Sequence, residues 1–568
     1  MRLILTASIL VFVGLFQGCH YLPYLKYRQG KDGEFPKFSE KWTFAGSENS
    51  YRTCYDITHY DWSIFPDPKK KKLTGNMIIS YTAMEVQDTL LLDLQNKMNV
   101  EYVRSSAPLK KYKHKDNLLY IVLESPLSIG EQHNLVIAYS GKVPNVAGQG
   151  PVFWKKDAND HPFIGTLTQG IGPHFIMPCK DLLYDEADSC IIRVEASNEL
   201  VAVANGKLFD ISPSENGRVF SYRVRNSINV YNISYNVGDY VTFVYPYTDV
   251  TGEDRSIEAV VLREDSAKAY QFYTQTPMIM RELEGLFGGF PWWNDGCRFL
   301  ETAISGGAME HQSAISMGRI LKNDWVADSI LPTNGTLIHE LAHEWWGNSI
   351  TARDYGDAWL HEGMASYIEA LVPERLYGKW AYELDMKRTL SRINNERMVI
   401  KPFGVRYNSW AYGPDGNIYN KGAAFMHTLR MQMNNDSLFF AMYKAAYQEF
   451  AYSEITTSQL ENFFNTYSAM NLSPYFQAYL RQAEPPTLQY YLNDSKTEFN
   501  YRFKQGIPED FQMRVLLGEE PNVLSLYPTV EYQTVRVDTT NRVVPLERFG
   551  YIILEKDLTE NGSKTPKK

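Results

Sequence analysis

The chain lacks the features that mark several broad classes of protein. It has 5 cysteines in 568 residues and none of them forms a C-x-x-C pair, which argues against a zinc ribbon. It has no excess of positive charge: 57 Lys and Arg stand against 66 Asp and Glu, for a net charge of −9. With a pI near 5.8, nothing suggests a nucleic-acid footprint. The basic run Lys69–Lys72 sits inside FPDPKKKKLTG and reads as a solvated loop. There is no internal repeat of the kind that builds solenoids, and no long low-complexity segment. The apolar run from Leu3 to Phe16 is too short for a comfortable membrane span. Histidine is scarce, with 11 in the whole chain.

What is present begins with that apolar run. MRLILTASILVFVGLFQGC carries an early Arg2, an apolar stretch and then Gly18-Cys19, the layout of an export signal. Its end resembles a bacterial lipoprotein signal, in which the cysteine is lipidated and becomes the new first residue. Phe16 and Gln17 depart from the usual Leu and small residue, so a plain secretory signal is the alternative. The expectation is a signal over 1–19 and an exported chain, anchored through Cys19 to a membrane of the cell envelope. Export permits a disulfide. Cys179 and Cys190 are the nearest pair among Cys54, Cys179, Cys190 and Cys297, but their spacing does not decide it.

The apolar share of 44% fits an ordinary globular protein with large cores, and the length fits two to four domains. From about 37 to 249 the chain runs in short β-branched or aromatic segments bounded by Gly, Pro, Asn and Asp. YDITHYDWSI, GNMIISYTAM, TLLLDLQ, HNLVIAYSG, SCIIRVEAS and RVFSYRVRNS predict an antiparallel β domain. From 250 to 474 helical periods take over, with helices expected at 267–287, 334–349, 361–372, 379–396 and 423–433. From 475 to 557 short strands return, such as EFNYRFKQ, QMRVLLG, TVEYQTVRV and RFGYIILEKD, and a small β-sandwich-like module is expected. The tail at 558–568 has the composition of a disordered segment. The fold class is therefore multidomain α+β.

Two of the scarce histidines lie in TLIHELAHEWWG, Thr336 to Gly347. His339 and His343 are four apart, so on a helix they share a face. Two imidazoles one turn apart can reach a single zinc ion, and Glu340 is poised to act on a water at that ion. The plain alternative is a helix that carries His and Glu on its polar side. Leu337, Ile338, Leu341, Ala342, Trp345 and Trp346 make this helix apolar nearly all round, so it is expected to be buried. Buried imidazoles and carboxylates need partners, and a metal supplies them. The pair leaves the ion short of one protein ligand. WLHEGMASYIE offers His361 and Glu362, with 18 residues between His343 and Glu362. Three protein ligands with one open position is the coordination of a catalytic zinc.

HELAHEWWGNSIT followed by AWLHEGMASYIE resembles the M1 family of zinc aminopeptidases, gluzincins whose pattern is H-E-x-x-H, 18 residues, then Glu. SGGAMEH, Ser305 to His311, is similar to the family's G-x-M-E-N element. IYNKGAAFMHTLR, Ile418 to Arg430, is similar to its Y-x-K-G element. YDITHYDWSI, the LTG before MIISY, and MPCKD at Met177 to Asp181 resemble recurring pieces of its N-terminal β domain. The likeness runs from about Tyr51 to Tyr479.

The resemblance implies a thermolysin-like, mostly helical catalytic domain and one zinc held by His339, His343 and Glu362. It makes Glu340 the general base and Tyr419 the donor to the oxyanion. Glu310 would bind the free α-amine of a peptide, beside backbone that Gly306, Gly307, Ala308 and Met309 present to the substrate. Two departures bear on the amine end. His311 stands where Asn is commoner. In TLTQGIGPHFIMPC, Ile171 stands where the family places Glu or Gln, which leaves Gln169 to supply the polar contact. The segment after Pro474 reads as strands and is short, so no counterpart of the family's large helical C-terminal domain is expected there, which would leave the cleft more open to longer peptides.

The expected activity is aminopeptidase, on peptides with a free N-terminus. A zinc endopeptidase of the same type is one alternative, and a non-catalytic peptide-binding lipoprotein is another. The anchor is tested directly. Cys19→Ala should turn a detergent-extracted protein into a soluble exported one; a wild-type chain already soluble, with its mature N-terminus elsewhere, leaves only the plain signal.

Overall fold

The computed structural model describes residues 49–145, 150–304, 307–318, 331–401, 416–518, 522–537 and 548–557. The expected export signal with Cys19, the residues Ser305 and Gly306, and the tail lie outside the described residues.

The N-terminal part is β-rich, as its alternating segments predict. A seven-stranded sheet runs in the order Lys207–Ser214, Gly217–Val224, Ser189–Ala196, Tyr55–Asp67, Lys72–Ala83, Gln132–Lys142 and Met98–Ser105. All neighbours pair antiparallel except Tyr55–Asp67 with Ser189–Ala196, which run parallel. Burial alternates residue by residue along Lys72–Ala83 and Ser189–Ala196, the mark of a sheet with one buried face. Smaller sheets of four and three strands pack with it around a core that includes Trp62, Tyr139 and Tyr235. The lysine run forms the exposed turn between the first two long strands, with Lys71 at φ 50°. All four described cysteines are buried free thiols, so Cys179 and Cys190 are not joined.

A buried seam fixes the segment that leads toward the site. Asp93 exchanges backbone hydrogen bonds with Cys179, at 2.7 and 3.1 Å. Its carboxylate accepts from Arg52 and from the Asp181 backbone N–H at 3.1 Å. Arg52 and Asp93 are both excluded from water. Lys180 donates to the Arg52 carbonyl at 2.9 Å and pairs with Asp185. MPCKD is thus the place where buried charges lock the loop to the sheet.

The catalytic half departs from the expected helices in ways that have local causes. The expected 267–287 helix is two, Ser266–Tyr273 and Thr276–Phe287. Pro277 lies in the first turn of the second, where its missing N–H costs nothing and a continuing helix would be broken. Three helices beyond those expected follow Met433: Asp436–Phe450, Thr457–Ser468 and Ser473–Leu480. A five-stranded mixed sheet also belongs here, in the order Tyr240–Thr248, Asp254–Leu262, Cys297–Glu301, Ala314–Met317 and Ala308–Met309. Its short inner strands are buried throughout and so carry no period-two signal.

The C-terminal strands form a four-stranded sheet, Gln533–Arg536, Glu498–Phe503, Thr487–Leu492 and Ile553–Lys556, and a two-stranded one. Apolar residues of these strands and of the segments joining them, among them Leu488, Phe503, Met513 and Phe549, join one continuous core with the catalytic helices. Removing one partner of a buried ion pair costs about 3–5 kcal/mol. Arg52→Leu should therefore lower stability by about that amount, read by denaturant unfolding. An unchanged midpoint would mean that Asp93 does not depend on Arg52.

Candidate metal centre

Three helices build the site. The histidine helix, Gly335–Ala342, starts at Asn334, whose side chain caps it by accepting from the Leu337 N–H at 2.9 Å. Every residue from Leu337 to Ala342 is buried, as its apolar flanks predict. The helix ends seven residues short of the expected Ser349. Past His343 the chain turns, with Gly347 at φ 136°, a conformation that glycine tolerates and other residues resist. This early ending frees the Trp346 carbonyl, which accepts from His343 Nδ1 at 3.0 Å.

The carboxylate helix, Trp359–Tyr377, places Glu362 in its first turn. The tyrosine helix, Asn417–Met433, begins six residues before the expected Ala423 and so takes Tyr419 into its first turn. Lys421, fully buried, donates to the carbonyls of Gln482 at 3.0 Å and Ala483 at 2.5 Å, fastening this helix to the start of the C-terminal strands.

The structure brings His339, His343 and Glu362 together. His339 Nδ1 donates to the Glu369 carboxylate at 2.7 Å. With each Nδ1 engaged as a donor, each Nε2 is a bare lone pair. The two Nε2 atoms face each other at 3.0 Å, and Glu362 Oε2 lies 3.3 Å from one and 3.4 Å from the other. A tetrahedral ion with bonds of about 2.0–2.1 Å holds its ligand atoms about 3.3 Å apart. Three lone-pair atoms at that spacing, away from water, fit zinc.

His361, the other candidate ligand, is turned away. Its Nε2 accepts from the Ala352 N–H at 2.7 Å, and burial lowers its pKa to about 3. Glu340 is buried, and one ligand atom each from Glu340, Glu310 and His343 lie within 4.8 Å of one another. The Tyr419 ring stacks on that of His339, with centroids 6.1 Å apart.

The amine end is built from both halves of the chain. Glu310 follows the short strand Ala308–Met309, and Gly307 before it sits at φ 98°. Ala308 is buried in the catalytic core, while Met309 packs with Ile171, Phe175 and Tyr231 in a small apolar cluster. Gln169 does reach Glu310, donating to Oε1 at 2.5 Å, and the Tyr231 hydroxyl donates to the same oxygen at 3.2 Å. Asn348 donates to the Glu310 carbonyl at 2.7 Å and accepts from Asn232 at 2.7 Å. Burial, with the Glu362 charge nearby, pushes the Glu310 carboxyl up. His311 is buried and bonded to Ser316 at 2.8 Å, and burial lowers its pKa to about 3, so it is neutral.

Glu369, Tyr231 and Asn348 were not singled out in the sequence. Glu369 carried a signal: it lies seven residues after Glu362 on one helix, hence on nearly the same face. Tyr231, far away in sequence, carried none.

Two family profiles match the chain: the peptidase M1 N-terminal domain over residues 57–228 and the peptidase family M1 domain over residues 299–479. Leukotriene A-4 hydrolase of Xenopus laevis is 24% identical over 323 residues, 54% of this chain and 50% of that one. Aminopeptidase B of Rattus norvegicus is 23% identical over 376 residues, 63% of this chain and 54% of that one. The chain spans about half the length of these curated relatives. The fold is similar to that of a mutant of the M1 zinc metallopeptidase of Deinococcus radiodurans, with TM-score 0.64 at 20% identity over 75% of this chain and 94% of that one. The same mutant, solved with a Tyr-Ser-Ala substrate, gives the same figures, TM-score 0.64 and 20% identity over 75% of this chain and 94% of that one. The chain belongs to peptidase family M1, and the metal its three ligands fit is zinc.

Purified protein should carry about one zinc per chain and lose it in the His339→Ala, His343→Ala double variant. Glu369→Ala should weaken zinc binding roughly 10–100-fold, as loss of an outer partner of a ligating histidine does. Chelator competition measures both, and an unchanged affinity in Glu369→Ala would leave His339 oriented by its packing alone.

Proposed function

We propose that this protein is an aminopeptidase that hydrolyses the first peptide bond of peptides with a free N-terminus. One observation carries the reading. The buried Glu310 carboxylate is not among the three metal ligands, yet it stands within 4.8 Å of ligand atoms of Glu340 and His343. A buried carboxylate needs a cationic partner, and the α-amine of a peptide is cationic, with an ordinary pKa near ~8. The amine and the first carbonyl are one residue apart, so a group that holds the amine beside the metal sets which bond is cut.

Zinc at His339, His343 and Glu362 supplies Lewis acidity and a water acidified to near neutral pH. The Glu340 carboxylate takes the proton of the attacking water and returns it to the leaving amine. The Tyr419 hydroxyl donates to the oxygen on which negative charge develops. Glu310 holds the ammonium group, and Gln169 and Tyr231 hold Glu310. Gly307, Ala308 and Met309 offer backbone along the substrate. A zinc endopeptidase has no use for such an amine clamp. A non-catalytic binding protein has no need of Glu340, Glu362 and Tyr419 together, and this chain keeps all three. The signal-like N-terminus, with Gly18-Cys19 at its end, supports an exported enzyme held at the cell envelope by a lipid on Cys19.

Glu340→Gln should keep zinc and lose turnover, and Tyr419→Phe should lower kcat more than it changes KM. One lost oxyanion donor costs roughly 10²–10³ in rate, so near wild-type kcat in either variant rejects that role. N-acetylation of a good substrate should abolish most cleavage. Glu310→Ala should impair free-amine substrates severely and an acetylated one much less. Equal rates on free, acetylated and internal bonds would replace the exopeptidase reading with the endopeptidase one.

A further inference from the structure

Two glycines meet where the carboxylate helix crosses the tyrosine helix. A Cβ on Gly422 would lie 2.8 Å from Gly363 Cα. A Cβ on Gly363 would lie 2.9 Å from Gly422 Cα and 2.9 Å from the Ile418 carbonyl oxygen. Such contacts are too short for any side chain, so the two backbones touch directly. Helices packed through side chains stand about 8–10 Å apart; small residues allow a closer approach. Neither glycine has a positive φ, so neither is there for its backbone freedom. Glycine is also a poor helix former. Closeness is what remains to explain the pair.

The pair lies beside the chemistry. Gly363 follows the metal ligand Glu362, and Gly422 lies one helical turn after Tyr419. The carboxylate helix is fixed to the histidine helix at two places, through Glu362 beside both histidines and through Glu369 on His339. The tyrosine helix contributes none of the three metal-ligating residues; its Tyr419 ring stacks on that of His339. We propose that the Gly363–Gly422 contact sets the reach of Tyr419 over the metal site, and that both glycines are positioning residues for the oxyanion donor. This rests on the aminopeptidase reading and on the role given there to Tyr419. A methyl group at either position must move a backbone from under 3 Å to ordinary contact near ~3.5–4.0 Å. Glu362 holds the carboxylate helix to the metal site, so the shift of roughly 1 Å falls on the tyrosine helix, and a misplacement of that size costs on the order of 10²-fold in rate.

The test is a cycle on a leucyl anilide substrate. Gly422→Ala should fold, keep its zinc and lose roughly 10–100-fold in kcat, with KM within about threefold of wild type. In a Tyr419→Phe background the same substitution should cost no more than about twofold, because the hydroxyl it displaces is already gone. Gly363→Ala, which approaches the contact from the other helix, should repeat the pattern. Equal losses in both backgrounds, a full kcat, or loss of zinc would overturn the inference. So would failure of both alanine variants to fold, which makes the contact one of stability alone. If wild-type enzyme turns over and Glu340→Gln does not, while the glycine variants behave additively, only this inference falls. If wild-type enzyme does not cleave the substrate, the aminopeptidase reading falls first.

Discussion

The site depends on one electrostatic constraint: three lone-pair atoms converge where water does not reach. The Nε2 atoms of His339 and His343 and one oxygen of Glu362 stand 3.0 to 3.4 Å apart. Their outer atoms are committed elsewhere, to Glu369 and to the Trp346 carbonyl. Such a cluster repels itself unless a cation sits among the three. The fold therefore specifies a charge at a point, and the geometry specifies an ion that takes nitrogen and oxygen ligands in a tetrahedron.

Much of the surrounding structure serves to hold that point still. The histidine helix stops early, and its stopping supplies the carbonyl that fixes the tautomer of His343. The carboxylate helix contributes twice, seven residues apart, once to the ion and once to the back of His339. The tyrosine helix is pressed against it, glycine to glycine, and is fastened on its other side by Lys421 to the chain entering the C-terminal strands. That module shares the catalytic core, so its strands help fix a helix that carries a reactive side chain.

The substrate end has a different construction. Glu310 comes from a sheet edge in the catalytic half, Gln169 from the N-terminal half and Tyr231 from the loop between two of its strands. The loop with Gln169 runs directly into MPCKD, which the buried Arg52, Asp93 and Lys180 lock in place. An amine clamp made of parts from both halves keeps its distance to the metal only if the halves do not shift. The buried ions and the direct hydrogen bonds across this boundary supply that rigidity.

The sequence by itself determined the metal pair, since i, i+4 spacing on an apolar helix is a local property. It also determined the order of β-rich, helical and β-rich parts, because strand and helix periods are local, and the alternating strands Lys72–Ala83 and Ser189–Ala196 were legible for that reason. Where burial is complete the period vanishes, so the inner strands Cys297–Glu301 and Ala314–Met317 were not legible. Helix ends were set by distant contacts: Tyr419 lies inside its helix, and the histidine helix is shorter than its apolar pattern. The choice between His361 and Glu362 fell to tertiary structure too, for the Ala352 N–H occupies His361. So did the partnership of Gln169 and Tyr231 with Glu310, because residues separated by 141 and 79 positions are brought together by packing, which no spacing along the chain records.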